Sequence, residues 1–158
     1  MKNIIILIGF IIPIVGFSQV EPQSKLLIDS ATSKFVFKKV FELNSVSANE
    51  IHDKIIAYGK DAKSVVINNE TTIVLKYESK IGAYKYVSYL ETFEMKENKY
   101  RYTLSDITYL LDATDDSEWK PVETIKKQDE VIEKVNDILN EKLLKQQNEI
   151  IDAKPNDW

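Results

Sequence analysis

The 158-residue chain has no cysteine, one histidine, four glycines and four prolines, and each scarcity removes a class of function. Without cysteine there are no disulfides, iron–sulfur clusters, zinc fingers, thiol catalysis or lipidation on cysteine. A lone histidine, His52, rules out a multi-histidine metal site. A surplus of basic charge is missing as well. Twenty-one Lys and Arg face 25 Asp and Glu, for a formal charge of −4, and broad nucleic-acid binding needs a basic surface to neutralise phosphates. What remains, 44% apolar and 29% charged residues, is the composition of a globular domain.

The one long apolar run stands at the start. Met1-Lys2-Asn3 carries a single positive charge, Ile4 to Val15 is apolar apart from Gly9 and Pro13, and Gly16-Phe17-Ser18 offers small residues at −3 and −1 of a cut before Gln19. That order is the three-part pattern of a secretory signal peptide. The run is short of the roughly 20 residues that span a bilayer. The expectation is a leader over residues 1–18, cleavage after Ser18, and a periplasmic or secreted chain with no membrane span. Removal takes one lysine and no acid, so the charge moves from −4 to −5. It also leaves Gly59 and Gly82 as the remaining glycines, too few for a phosphate-cradling loop.

Residues 19–33 are mostly polar and read as a flexible lead-in, residues 34–151 as one domain, and residues 152–158 as a loose tail. Phe35, Phe37, Phe41 and Leu43 share one parity, the mark of a strand with one apolar face. Ser47-Ala48-Asn49-Glu50 is a capping box opening a helix that buries Ile51 and Ile55 and ends at Gly59. Ser64 to Asn68 and Thr72 to Ser79 read as strands joined by an Asn68-Asn69 turn. Tyr84 to Lys96 and Lys99 to Leu111 read as a hairpin about Glu97-Asn98.

A two-residue loop there faces Met95 with Tyr100, Phe93 with Tyr102, Glu94 with Arg101 and Thr92 with Thr103. The same register sets Glu91 on the apolar side, so a bulge near Leu90 is expected to re-aim the chain. After an acidic loop at 112–120, residues 124–151 turn helical, with Val131, Ile132, Val135, Ile138, Leu139, Leu143 and Ile150 in one stripe. Glu130–Lys134 and Glu141–Lys145 stand at i,i+4 on its wet side. The fold class is α+β: a two-layer domain in which two helices cover one face of a five-stranded, mostly antiparallel sheet, in the order β-α-β-β-β-β-α.

The strand Lys99-Tyr-Arg-Tyr-Thr-Leu-Ser-Asp-Ile107, closing a hairpin ahead of a long helix, resembles a family of exported Bacteroidota proteins described as a domain of unknown function with a TBP-like fold. The resemblance spans Phe35 to Leu111 and the final helix. It implies a curved sheet in the order 1-5-4-3-2 with two helices on the convex side, and no activity. A DNA-binding saddle needs Lys and Arg with apolar wedges on its concave face. Here that face offers Lys76, Arg101, Glu78 and Glu94, close to neutral.

Catalysis has little to stand on. His52 has no nucleophile motif to serve, and Glu91 and Glu94 differ in parity. Asp112, Asp116 and Glu123 fall at positions 1, 5 and 12 of a calcium loop, but Ser117 stands where Gly is needed and a strand precedes it, so this is a weak Ca²⁺ candidate beside a solvated acidic loop. No cofactor is expected. The tyrosines suggest recognition: Tyr84, Tyr86, Arg101, Thr103, Ser105 and Tyr109 are read as sharing the face that the helices leave bare, a composition favoured at binding sites. The first expectation is a non-catalytic exported module that binds an envelope protein or a small ligand there. The alternatives are a small envelope hydrolase using His52 and a structural subunit self-associating through its last helix.

Overall fold

Strand pairing begins at the Glu97-Asn98 turn, where Asn98 takes the left-handed backbone (φ 60°) that asparagine tolerates. The computed structural model of the protein describes residues 24–111, 118–126 and 128–152. β1 is Leu27–Ile28, β2 Phe35–Glu42, β3 Ser64–Asn68, β4 Thr72–Gly82, β5 Lys85–Lys96, β6 Lys99–Leu111 and β7 Lys120–Pro121. Helix α1 is Ala48–Tyr58 and α2 is Gln128–Gln146, continued by one π turn, Gln147–Ile151. The sheet runs β1-β2-β6-β5-β4-β3 with β7 beside β6, and every pairing is antiparallel. Its five longer strands stand in the order 1-5-4-3-2; β1 and β7 are short additions.

The hairpin keeps the expected register from Met95↔Tyr100 out to Leu90↔Ser105. There β6 inserts one residue before Ser88 meets Thr108, and Asp106 in the bulge has φ 50°. Glu91 therefore stays on the core side, opposite Leu104, fully buried. On α1, Ser47 Oγ accepts from the Glu50 amide at 3.2 Å and the Glu50 carboxylate accepts from the Ser47 amide at 2.8 Å. The β3–β4 turn is closed by the Asn69 side chain, which accepts from the amides of Thr71 and Thr72, and not by a positive φ.

One core lies between the sheet and the helices: Ile51, Ile55 and Tyr58 of α1 and Val131, Val135 and Leu139 of α2 meet Ile73, Leu75, Tyr89, Phe93, Tyr100, Tyr102 and Leu104. The α2 stripe is thus used inside its own domain. Its i,i+4 pairs are redirected: Glu130 takes Lys85 (2.9 Å) and Lys145 takes Asp61 (2.9 Å) as well as Glu149 (3.9 Å).

The segment read as a flexible lead-in is, from residue 24 to 33, part of the fold. Leu26 is buried, β1 pairs with β2, and the amides of Ser24 and Leu26 donate to Asn140 and Asn136 of α2 at 3.1 and 2.8 Å. What fixes it is its backbone, whose amides donate to side-chain oxygens of a distant helix. The leader at 1–18 and residues 153–158 lie outside the described residues.

Candidate functional site

Alternation along the central strands divides the side chains into a covered and an open face. Both helices contribute to the core on one side. The other side presents Tyr86, Ser88, Leu90, Thr92 and Glu94 of β5 against Leu110, Thr108, Ser105, Thr103 and Arg101 of β6. β4 adds Val74 and Lys76, and β2 adds Lys38 and Val40. A hollow of about 300 Å³ lies at the β1 edge, lined by Leu27, Asp29, Val36 and Lys38.

Of the six residues read as sharing the bare face, Tyr86, Arg101, Thr103 and Ser105 do. Tyr109 does not. The residue inserted at Asp106 inverts the parity of β6 beyond it, so Tyr109 pairs with buried Val87 and packs against the core. Tyr84 sits in the β4–β5 turn, 69% exposed, off the sheet face. Arg101 clasps Glu94 through Nε and Nη2 at 2.6 and 2.5 Å. Lys38 is held by Asp29 (3.1 Å) and Glu78 by Lys63 (3.3 Å). These three pairs are matched within the molecule, and Lys76 and Lys80 of β4 and the facing Lys96 and Lys99 share the same side of the sheet.

His52 is tied down, with Nε2 2.7 Å from Asn68 Oδ1 and Nδ1 3.4 Å from Asp53 Oδ1, which fastens α1 to the end of β3. Asp112 and Asp116 fall outside the described residues. Glu123 accepts from the Phe35 amide at 2.9 Å, anchoring the start of β2. Among the described residues no three His, Asp or Glu side chains are placed to hold a metal, and no helix is long and apolar enough to cross a membrane.

A second polar locus lies inside the core. Glu91, fully buried, accepts from the Tyr58 hydroxyl at 3.0 Å and lies 3.7 Å from Lys142 Nζ. That ammonium stands 3.3 Å from the centre of the Tyr77 ring and 5.6 Å from that of Tyr58, a cation over aromatic faces. Tyr89 stacks on Tyr77 with centroids 5.6 Å apart, and Tyr100 donates to buried Gln146 at 3.2 Å. The hydroxyls of Tyr77, Tyr89 and Tyr102, with Glu91 Oε1 and Gln146 Nε2, are buried without a hydrogen bond to any described residue.

Burial raises the Glu91 carboxyl above its usual range, against the opposing pull of Lys142 and of the Tyr58 hydroxyl. Burial likewise lowers the Lys142 ammonium, with Glu91 pulling it back up. It also raises the phenols of Tyr58, Tyr77, Tyr89 and Tyr102. Lys142 also lines a groove of about 700 Å³ between the end of β4 and α2, together with Ser79, Ile81, Tyr89, Ile138 and Glu141. The signal available in the sequence was Glu91 itself: register places it inward, and α2 carries a lysine at a position facing the sheet.

No protein-family model matches the chain, and no curated protein does. Among solved structures it is similar to a TBP-like protein from Parabacteroides distasonis, at 19% identity and a TM-score of 0.56, over 73% of this chain and 94% of that one. It is similar also to a DUF4468 family protein from Bacteroides ovatus, at 16% identity and a TM-score of 0.60, over 83% and 93%. Neither name carries an enzymatic activity. At such identities the likeness concerns architecture, and it agrees with the resemblance seen in the strand Lys99 to Ile107. The chain has the TBP-like α+β fold that these Bacteroidetes proteins share.

Proposed function

We propose that the protein is an exported, non-catalytic module that binds a protein partner through its open sheet face. The observation behind this reading is the bare face itself, where Leu90 and exposed Val40 stand among the hydroxyls of Tyr86, Thr92, Thr103 and Ser105. Such a mixture of aliphatic contact and adaptable hydrogen bonding suits a polypeptide surface. Export rests on the leader pattern of residues 1–18.

The test is cross-linking of the tagged protein in the envelope of its own cells, followed by reconstitution with the purified partner. Tyr86→Ala and Arg101→Ala are expected to abolish binding, whereas Glu133→Ala on exposed α2 surface leaves it unchanged. Loss in all three variants, or in none, removes the open face as the binding surface. Edman sequencing of the purified protein checks export, with Gln19 as the expected first residue. An intact Met1 overturns that part.

A further inference from the structure

The register puts more charge on the open face than Lys76, Arg101, Glu78 and Glu94. It adds Lys80 of β4, Lys96 of β5, Lys99 of β6, and Lys38 and Glu42 of β2. Ion pairs account for part of this charge: Arg101 holds Glu94, Lys38 holds Asp29, and Lys63 beside β3 holds Glu78. The ammonium groups of Lys76, Lys80, Lys96 and Lys99 make no ion pair among the described residues, and Glu42 is the carboxylate of this face left to offset them. Glu97, the acid of the nearby turn, accepts from the Ala48 amide at 3.3 Å and so serves the start of α1. A chain of formal charge −4 thus carries a positive surplus on one side of its sheet.

Two of these lysines stand directly opposite each other, Lys96↔Lys99, the last pair before the Glu97-Asn98 turn. Like charges facing across a ladder weaken a hairpin, so local stability does not account for them. The charges also surround an uncharged middle. Between Lys76 on β4 and Lys38 on β2 the rows pass through Leu90, Thr92, Thr103 and Ser105, while Lys80 marks one end of the face and Lys96 with Lys99 the other. An aliphatic and hydroxyl centre with a charged margin is the layout of a polypeptide-binding surface.

We propose that the open face takes an acidic polypeptide, whose Asp and Glu side chains meet Lys76, Lys96 and Lys99 around an apolar contact on Leu90. The inference rests on the open-face reading above and names the chemistry of the partner. Complementary charge of this kind speeds encounter and selects among partners. Glu42, Glu78 and Glu94 interrupt the lysines, whereas a phosphate backbone or an anionic bilayer calls for unbroken positive charge. Carboxylates spaced along a polypeptide fit this face better than continuous phosphate.

The experiment is fluorescence anisotropy of a labelled random copolymer of glutamate and tyrosine titrated with the purified protein, at about 0.1 M salt, where exposed charges act over about 10 Å. Two variants remove equal charge: Lys76→Gln/Lys96→Gln/Lys99→Gln on the open face, and Lys60→Gln/Lys126→Gln/Lys134→Gln at exposed positions in and beside the helices. Thermal melting confirms that each is folded, and Lys76→Gln/Lys96→Gln replaces the first if it melts early. The expected result is binding weakened at least about tenfold by the open-face variant and less than about twofold by the other. No binding by wild type, or equal loss in the two variants, overturns the proposal. Tighter binding to duplex DNA or to phosphatidylglycerol vesicles than to the copolymer also overturns it, by making phosphate the occupant. The open-face reading is judged separately, on the cross-linked partner. Binding lost in Tyr86→Ala but kept in the lysine variant refutes the acidic partner alone, and binding kept in both removes the face as well.

Discussion

Removing Lys142 alone should damage the protein far more than removing Lys142 and the charge of Glu91 together. At 3.7 Å and an effective dielectric of about 20, the pair attracts by about 4 kcal/mol, against a desolvation cost of several kcal/mol for each ion. Lys142→Met keeps the side-chain length over the Tyr58 and Tyr77 rings but leaves a carboxylate with no exposure and no counter-charge. We expect a loss of about 3 kcal/mol at pH 7. Glu91→Gln keeps an acceptor for the Tyr58 hydroxyl while discharging the site. The double variant Glu91→Gln/Lys142→Met is therefore expected within about 1 kcal/mol of wild type.

The pH dependence carries a sign. Glu91 has a raised pKa in the fold, so the folded chain keeps a proton that the unfolded chain loses above 4.5. The associated stability is lost as pH climbs through the folded value. Lys142 is lowered from 10.5, so its share is complete above that pH and lost as pH falls through its folded value. Wild type minus double variant, from urea unfolding followed by circular dichroism, should fall from pH 4.5 upward and recover toward 10.5. The deficit of Lys142→Met should shrink in acid. A difference that rises above pH 4.5, or a double variant as unstable as the two single variants summed, refutes the reasoning.

Three further substitutions probe the frame. Leu26→Ala should cost about 2–3 kcal/mol in denaturant unfolding, as for a core leucine; no loss would mean that the first segment is a free lead-in after all. Gly59→Ala sets a methyl 2.6 Å from Leu75 Cδ1 in a packed interior and should cost about 1–3 kcal/mol by thermal melting. Ser47→Ala deletes the cap on the Glu50 amide and should cost about 1 kcal/mol, read by the same melt.

Where a local rule decides structure, the sequence was readable. The capping box at Ser47, the Asn98 turn and the pairs from Met95↔Tyr100 to Thr92↔Thr103 each follow from neighbouring residues and appear as expected. Glu91 shows where that reading fails. Parity placed it inward, but a carboxylate looked wrong for a core, because Lys142 lies 51 positions away and nothing local announces the pair. Tyr109 shares the parity of Arg101 along β6, and sequence locates the bulge only as near Leu90; the extra residue falls on β6 at Asp106 and turns Tyr109 inward. Leu26 lies in a polar stretch whose anchoring partner, Asn136, is 110 residues on, so nothing local marks it as core. Likewise Gln146 interrupts an apolar stripe because its partner is the buried hydroxyl of Tyr100.

The bonds from Ser24 and Leu26 to Asn140 and Asn136 join the beginning of the domain to its end. During synthesis, the first described residues emerge long before the helix that holds them, and the sheet awaits Val131, Val135 and Leu139 to seal its apolar side. No shorter nascent chain can complete the interior. Closure of the core is thereby deferred until the carboxyl-terminal helix is made, and a truncation before Asn136 should yield a chain that never matures into the folded domain.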